Sequence, residues 1–513
     1  MKQIKFFAMA FAALAVFSCA KNKMGDGENP PVVEGVETYA TFNFQVDGNA
    51  PKSRAASETD AGKTTAKDDV VKDIRIAVFK VGTPSLLEAT ATVKVTAPGL
   101  TNTAIKLTSG QKRIFVFANS ENTVGFPVLT IGTTTLENCY ASLINLEDAK
   151  NGFSMADITS DAKGFFMSNA RTAGSLKNLL PNITAAASQA GDETANHFTF
   201  TVQRAISKVN AKLATGVAAG VAGGTLSELF YTVRNINKQF RPVQTFLDVN
   251  ITDAEAAGKT ILPIAAFYNK FDGVSDADME KPATFTDYDR MADFDQPLTE
   301  TKPTTAVFVT ENTNARQVLG NTSYLAVKGK YTPTAVLESC AYEPVGDGIF
   351  TPKIGTLAVN GDFYKVDLAG LKKTGIGGKG LTNNLFTTQA GAKALLDLVL
   401  TANSFDPTAA AGSAEKTAYD AELTKRLLKY TSGVTFYRLN IGVTTPGTPA
   451  VTTFGIKRNS TYSIDITKIN KLGTNDETKL DEIPETPVTS EETNVTATIT
   501  IAPRNQMDQS GEL

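Results

Sequence analysis

The chain has 513 residues, of which 42% are hydrophobic, and its 50 Lys and Arg nearly balance its 53 Asp and Glu. This length is typical of two domains with tails, and the hydrophobic content is enough for true cores. The net charge of −3 gives no support for a nucleic-acid partner. The 39 Gly residues, together with abundant Thr and Val, favour a mainly β fold.

The N-terminus has the pattern of an exported lipoprotein. Lysines precede an apolar run over 6–17 that is too short to span a bilayer. Residues 16–19 then read Val-Phe-Ser-Cys, which resembles a bacterial lipobox. In such a motif the small residue before Cys admits signal peptidase, and the thiol, here that of Cys19, would become the lipid attachment point. We predict a signal peptide over 1–18 and a lipidated Cys19. The alternative is an ordinary signal peptide with an incidental cysteine. Residues 20–37 predict a flexible tether.

A candidate removable strand follows within the predicted propeptide, 19–54. Phe42, Phe44 and Val46 alternate with polar residues, which predicts a half-buried β-strand. The small-residue segment after it contains Arg54 and is easily extended into a protease cleft. Cleavage after Arg54 would separate the strand from the rest of the chain. Our hypothesis is that the strand fills a groove temporarily, and that another molecule's strand later takes its place.

Residues 55–242 predict a first β-sandwich domain, because closely spaced strands are separated by turn signals. The predicted strands span 74–79, 91–95, 112–118, two runs within 198–213 that meet at Arg204-Ala205, and 229–236. A short helix is predicted over 136–149.

Residues 243–491 predict a second β-sandwich domain. Its predicted strands span 306–309, 323–330, 434–443 and 460–469. Apolar residues at helical spacing predict helices over 392–401 and 415–430, the second with Leu427 and Leu428 on one face. Residues 472–492 predict a charged linker that contains proline.

The composition limits the chemistry that the chain can perform. The single His197, at the start of an apparent strand, has no GxSxG nucleophile motif with it and too few His or Cys companions for a zinc site. Cys139 and Cys340 can pair only if the fold brings them together. The acidic stretch 272–295 does not have EF-hand spacing, so a solvated loop is favoured over a calcium site. We predict no catalytic, cofactor or metal site.

The last segment, 492–513, contains an isolated alternating strand. Val495, Ala497, Ile499 and Ile501 share one face, and Pro503 ends the pattern. A strand of this kind promotes aggregation unless it has a partner. We predict that it is a donor strand for a neighbouring subunit. The alternative is a last strand in the second domain's own sheet.

Several sequence runs, spread from the signal peptide to the C-terminus, resemble the fimbrillins of Bacteroidia, which build type V pili. The likeness is strongest to the Mfa-type subunits of the short fimbriae of Porphyromonas. The matching runs are the lipobox ending at Cys19, the Arg54-Ala55 junction, 202–209, 324–331, 457–464, 469–473, and the final strand with its Pro503. The chain departs from this type at Arg504, where relatives commonly have an aromatic residue.

The resemblance implies a mainly β protein with two tandem transthyretin-like β-sandwich domains and a few short helices. It also implies anchoring in the outer membrane through the lipid on Cys19, and cleavage between Arg54 and Ala55 by an arginine-specific protease. Copies of the chain would then polymerise by strand exchange. The expected partners are other copies, the tip, accessory and anchor subunits of a fimbrium, and receptors on host or bacterial surfaces.

Three functions were compared on this basis. The first is the shaft subunit of a cell-surface fimbrium that supports adhesion and biofilm formation. The second is a tip or accessory adhesin of the same family, which needs a groove but no donor strand, so the alternating C-terminal strand favours the first. The third is a surface-anchored enzyme such as a glycan hydrolase, which is least favoured because no pair of carboxylates stands out.

Overall fold

The computed structural model describes much of the chain, with gaps. The described residues are 33–46, 70–95, 103–121, 123, 125–142, 144–148, 152–153, 164–169, 175–218, 221–243, 288–301, 303, 306–312, 318–343, 349–371, 383–445, 451–481, 486, 488 and 495–503. They form mainly β structure, which confirms the predicted fold class. Within these residues no helix has the length and apolar character needed to cross a membrane.

The first core lies around an eight-stranded sheet. Its strands are β1 (Glu37–Val46), β2 (Asp73–Lys80), β3 (Leu87–Lys94), β4 (Ala104–Thr108), β5 (Gly110–Ala118), β9 (Met167–Ser168), β10 (Leu176–Leu179) and β11 (His197–Arg204). Their spatial order is β3-β2-β5-β9-β11-β1-β4, with β10 also paired to β5. The apolar run in β5 is buried on both faces, as expected for a strand inside a core.

Shorter elements connect these strands. They are the helices α1 (Leu136–Ala141) and α2 (Ala185–Ala190), the 3₁₀ turn Glu193–Ala195, and the two-residue strands β6 (Ile144–Asn145), β7 (Glu147–Asp148) and β8 (Gly152–Phe153). Both helices begin at a threonine whose hydroxyl accepts a hydrogen bond from a backbone N–H of the first turn, Thr135 in α1 and Thr184 in α2. Of the helix predicted over 136–149, only Leu136–Ala141 is helical, and the short strands β6 and β7 lie in the rest of that range.

The chain leaves the first core at Ala205. Strand β12 (Ile206–Leu213) begins directly after β11 and pairs with strands of the second core, and Val209 belongs to that core. Arg204-Ala205, where the two predicted runs meet, is therefore the place where the chain changes sheets. It comes earlier than the predicted domain boundary at 242/243, because the strands that follow it lie in the second core. Among the described residues that follow Ala205, the first core also contains Ile206, Phe240 and Val243, and Phe308 packs against it.

The second core lies between two four-stranded sheets. The first contains β18 (Val307–Thr310), β12, β28 (Ser460–Ile469) and β29 (Val495–Pro503), in that order. The second contains β17 (Gln296–Pro297), β13 (Gly224–Arg234), β19 (Tyr324–Pro333) and β25 (Val434–Asn440), in that order. Peripheral strands are β14 (Ile236–Asn237), β15 (Gln239–Phe240), β16 (Tyr288–Asp289), β26 (Gly442–Thr445) and β27 (Val451–Phe454), and a 3₁₀ turn spans Glu477–Asp481.

A third core, which the sequence prediction did not include, is inserted between β19 and β25. A five-stranded sheet in the order β21-β20-β23-β22-β24 packs against two helices. These elements are β20 (Leu337–Glu343), β21 (Ile349–Ile354), β22 (Phe363–Val366), β23 (Leu385–Phe386), α3 (Gln389–Ala402), α4 (Ala414–Arg426) and β24 (Leu427–Tyr430), followed by the 3₁₀ turn Thr431–Gly433.

The prediction that Leu427 and Leu428 lie on a helix is wrong. Helix α4 ends at Arg426, and both leucines lie in β24, where Leu428 pairs with Lys365 of β22. The strand is favoured there because it brings Tyr430 onto Phe363, with the two rings stacked at 4.7 Å between centroids. A tertiary contact therefore outweighs the helical spacing of the leucines.

Candidate functional site

Strand β1 occupies an interior position in the first sheet. It runs parallel to β11, with Phe42 opposite Phe198, and antiparallel to β4, with Ala40 opposite Ile105. The alternation over 41–46 that predicted a strand is present, and the strand begins earlier, at Glu37. Because β1 lies between two neighbours, its removal would open a slot inside the sheet.

The inward face of β1 is part of the first core. Ala40, Phe42, Phe44 and Val46 are 0%, 1%, 4% and 7% exposed. The ring of Phe42 lies 6.3 Å from that of Phe198 and 6.2 Å from that of Phe200, centroid to centroid. Burying three large apolar side chains contributes about 5–9 kcal/mol before the costs of ordering the strand are counted. The strand is therefore an integral part of the folded core.

The outward face of β1 is hydrogen-bonded to neighbouring elements. The hydroxyls of Thr41 and Ser188 lie 3.1 Å apart, and the Gln45 amide nitrogen donates to the Thr201 hydroxyl at 2.9 Å. The bonds of Thr41 and Gln45 therefore fix the strand on the side away from the core. At the start of the strand, on the same face as Ala40, the buried Thr38 hydroxyl donates to the carbonyl oxygen of Leu180 at 2.7 Å.

His197 is part of this polar face. Its Nδ1 lies 2.8 Å from the carbonyl oxygen of Ser188, so Nδ1 carries the proton and donates. In the neutral ring Nε2 is then an acceptor, and the amide nitrogen of Asn43 donates to it at 2.6 Å. The histidine is half-buried at the start of β11, where the sequence placed it. Its contact with β1 was not predictable, because the two residues are far apart in sequence.

The C-terminal strand β29 lies at the edge of its own second-domain sheet, antiparallel to β28. This is the alternative arrangement considered from the sequence. Val495 is 1% exposed, whereas Ala497 and Ile499 are only half-buried. The pairing is interrupted by a register shift between Ile466 and Lys468. The side chain of Ile501 lies outside the described residues.

The remaining predicted positions are placed as follows. Cys19, Arg54 and Ala55 lie outside the described residues. Cys139 and Cys340 are free, buried thiols in different cores, and burial raises the pKa of Cys139 to about 12. Most of the acidic stretch 272–295 also lies outside the described residues. In the part that the structure describes, no group of three or more His, Cys, Asp or Glu side chains could hold a metal ion.

A buried polar cluster joins the first two cores. Arg458, just before β28, forms an ion pair with Glu311 at 2.8 Å, and both side chains are almost inaccessible to water. The same guanidinium donates to the carbonyl oxygen of Arg241 at 3.1 Å. The neighbouring Asn459 accepts a hydrogen bond from Arg204, at the end of β11, at 3.0 Å. Arg204, Arg458 and Asn459 lie in the sequence runs 202–209 and 457–464, which the resemblance to a known family singled out. The contact between the two runs, however, becomes visible only in the folded structure.

Comparison with known proteins identifies the class. The family model of the FimA major fimbrial subunit protein matches residues 40–214, and that of the C-terminal part of type IV fimbrillin matches residues 428–510. The chain therefore belongs to the fimbrillin family of major fimbrial subunit proteins. As a member of this family it is a fimbrial protein of the cell surface with a structural or adhesive role. No match was found among curated protein sequences.

Several solved structures are similar to the chain over most of its length. A candidate cell adhesion protein from Parabacteroides distasonis is 15% identical, with 92% of this chain and 100% of that chain covered and a TM-score of 0.41. The fimbrillin FimA from Porphyromonas gingivalis is 14% identical, with 90% and 97% covered and a TM-score of 0.40. The tip fimbrial protein Mfa3 from Porphyromonas gingivalis is 10% identical, with 91% and 99% covered and a TM-score of 0.34.

Proposed function

We propose that the chain is the shaft subunit of a fimbrium that polymerises by protease-gated strand exchange and supports adhesion and biofilm formation. The observation that carries the proposal is the position of β1. The strand lies inside the first sheet, fills the core with Phe42 and Phe44, and is followed by the Arg54-Ala55 junction. A segment that is both structural and easily cut off is suited to a temporary role.

Covalent connection explains why β1 occupies the slot first. A tethered strand has a high effective concentration and outcompetes a strand from another molecule. Cleavage after Arg54 by an arginine-specific protease removes this advantage and also releases the subunit from the lipid on Cys19, and so from the outer membrane. The same cut then permits assembly with other copies and with tip, accessory and anchor subunits.

The C-terminal strand β29 is the donor in this proposal. Its apolar face repeats with the same period as that of β1. To reach a neighbour it must leave β28. This is feasible because β29 is an edge strand with pairing on one side and, among its described side chains at 495–499, only that of Val495 is deeply buried. A tip or accessory adhesin remains the second candidate. The alternating donor strand favours the shaft, since a tip subunit has no use for it.

Two variants test the proposal. Deletion of 494–513 is expected to leave a folded monomer that cannot polymerise, and Arg54→Ala to retain the lipidated precursor and block filament growth. Lys52→Ala is the matched control, because it removes a nearby positive charge and keeps the cleavage residue. Electron microscopy and N-terminal sequencing of the surface form provide the measurements. Filaments from the truncated chain, or intact fibres whose subunits still begin at Cys19, would refute the proposal.

A further inference from the structure

The slot around β1 has an uneven shape that any replacing strand must match. At Ala40 the space is closed, since this alanine is 0% exposed and pairs with Ile105 of β4. At Phe42 and Phe44 the space accommodates whole aromatic rings, and at Val46 the strand ends. From Ala40 to Val46, the spaces for the inward side chains of β1 are therefore small, large, large and medium in size.

The C-terminal strand offers one arrangement of sizes that matches. The alternating apolar residues of its sequence are Val495, Ala497, Ile499 and Ile501, and alanine is the only small one. The strand exchange proposed above is the basis of a further step. We infer that β29 of a second copy enters the slot of β1 in the same direction as β1, with Ala497 in the place of Ala40. Ile499 and Ile501 then occupy the spaces of the two phenylalanines.

The neighbouring register is unfavourable at two positions. If Ala497 took the place of Phe42, a methyl group would stand where a ring is now buried, and a cavity would remain. Val495 would then occupy the closed position of Ala40 and overpack it. A shift by a single residue is worse, because it turns the threonine face of the strand toward the core.

The opposite direction is also unfavourable. To bring Ile499 and Ile501 into the two large spaces in reverse order, Pro503 must take the place of Ala40. That position lies within the paired part of the strand, and proline has no N–H for a ladder hydrogen bond. In the inferred direction Pro503 instead takes the place of Val46, the last residue of the strand.

The outward face agrees with the inferred register. Thr498 takes the place of Thr41 and offers a hydroxyl to the buried Ser188, whose own hydroxyl lies 3.1 Å from that of Thr41. Thr500 takes the place of Asn43, opposite the imidazole of His197. Ser188 and His197 therefore regain hydrogen-bonding partners, which matters because a buried unpaired group is costly. At the start of the strand, Val495 takes the place of Thr38, so the hydrogen bonds that the Thr38 hydroxyl makes with Leu180, Ile183 and Asn196 are not replaced.

Disulfide cross-linking within assembled filaments reads the register directly. Thr199 is exposed and pairs with Asn43, so in the inferred register it faces residue 500 of the incoming strand. Paired strands bring Cα atoms to about 5 Å, which is within the range of a disulfide. Chains carrying Thr199→Cys with a second cysteine at Thr498, Thr500 or Ala502 are assembled and oxidised. Thr199→Cys alone gives the background from the native cysteines.

The expected result is a ladder of covalent multimers for the variant at 500 and none for those at 498 and 502. The reversed strand would also bring residue 500 to Thr199, so Thr201→Cys, opposite Gln45, reads the direction: it should cross-link to residue 502, whereas a reversed strand would cross-link it to residue 498. With Thr199→Cys, a ladder at 498 or 502 instead would overturn the register and leave strand exchange intact. Filaments that cross-link at none of the three positions would overturn strand exchange at this slot as well. The two failures are thus distinguishable.

A size test keeps the inference falsifiable if cysteine variants assemble poorly. Ala497→Phe is expected to abolish assembly because the position of Ala40 is closed, whereas Ile499→Phe restores the ring of Phe42 and is expected to assemble. Both residues are half-buried in the unassembled chain, so the variants form a matched pair. Normal filaments from Ala497→Phe, with none from Ile499→Phe, would overturn the inferred register.

Discussion

The substitution Phe42→Ala is expected to destabilise the uncut chain and to leave the assembled form nearly unchanged. Phe42 is 1% exposed and contacts the rings of Phe198 and Phe200, so its truncation leaves a cavity in the first core. Phe→Ala changes at such sites cost about 3–5 kcal/mol. For a domain of this size, that corresponds to a fall in melting temperature of about 6–20 °C.

The matched control is Phe79→Ala. Phe79 lies in the same core, is 0% exposed, and has its ring 6.2 Å from that of Phe115, centroid to centroid. It lies on β2, which remains in the subunit after cleavage, so this variant should weaken the uncut and assembled forms alike. The chain contains no Trp, so scanning calorimetry and circular dichroism are suitable measurements. If Phe42→Ala weakens filaments as much as Phe79→Ala does, β1 is a permanent strand and the reasoning fails.

Two further predictions concern buried ion pairs. Burial raises the pKa of Glu88, but hydrogen bonds from Lys112 and Thr108 outweigh burial and hold it below its ordinary value of 4.5. The ion pair of Glu88 with Lys112 therefore stabilises the fold at pH values above 4.5, and this stabilisation is lost as the pH falls through the lowered pKa. Glu88→Gln should therefore lower the free energy of unfolding by about 2 kcal/mol at pH 7, and by progressively less when unfolding is measured at lower pH. If the difference in unfolding free energy between Glu88→Gln and the unsubstituted chain stays the same at every pH, this prediction is contradicted. Arg458→Met should cost about 3–5 kcal/mol because the buried Glu311 carboxylate loses its ion pair with the Arg458 guanidinium. The added Glu311→Gln should recover part of the loss in a double-mutant cycle; strict additivity would disprove the coupling.

The strands that carry the site were predictable because their side-chain pattern is local. Alternation marked Phe42 to Val46, the break at Arg204-Ala205, and the strand over 460–469, which the structure reproduces as β28. Alternation does not show which strands pair with each other. The parallel pairing of Phe42 with Phe198, and the contact between Asn43 and His197, depend on residues distant in sequence.

The third core was missed for a different reason. The helical spacing in α3 and α4 was visible, but β22 and β23 contain only four and two residues, too few for a period to appear. β20 and β21 are longer, but their apolar residues do not alternate, and β21 contains Pro352. The sheet that the helices cover was therefore not recognisable from the sequence. Leu427 and Leu428 continued the spacing of α4, and only the stacking of Tyr430 on Phe363 shows why the helix ends.

The interior position of β1 also has a mechanical consequence. A strand with hydrogen-bonded neighbours on both sides, pulled along its length, must shear both ladders together. An edge strand such as β29 on β28 has one ladder and can be peeled away a bond at a time. A fibre whose subunits were joined through the slot of β1 would therefore resist tension far better than the resting contact of β29 does. Little force would be needed to release β29 from β28 before assembly, and a large force would be needed to separate the assembled subunits.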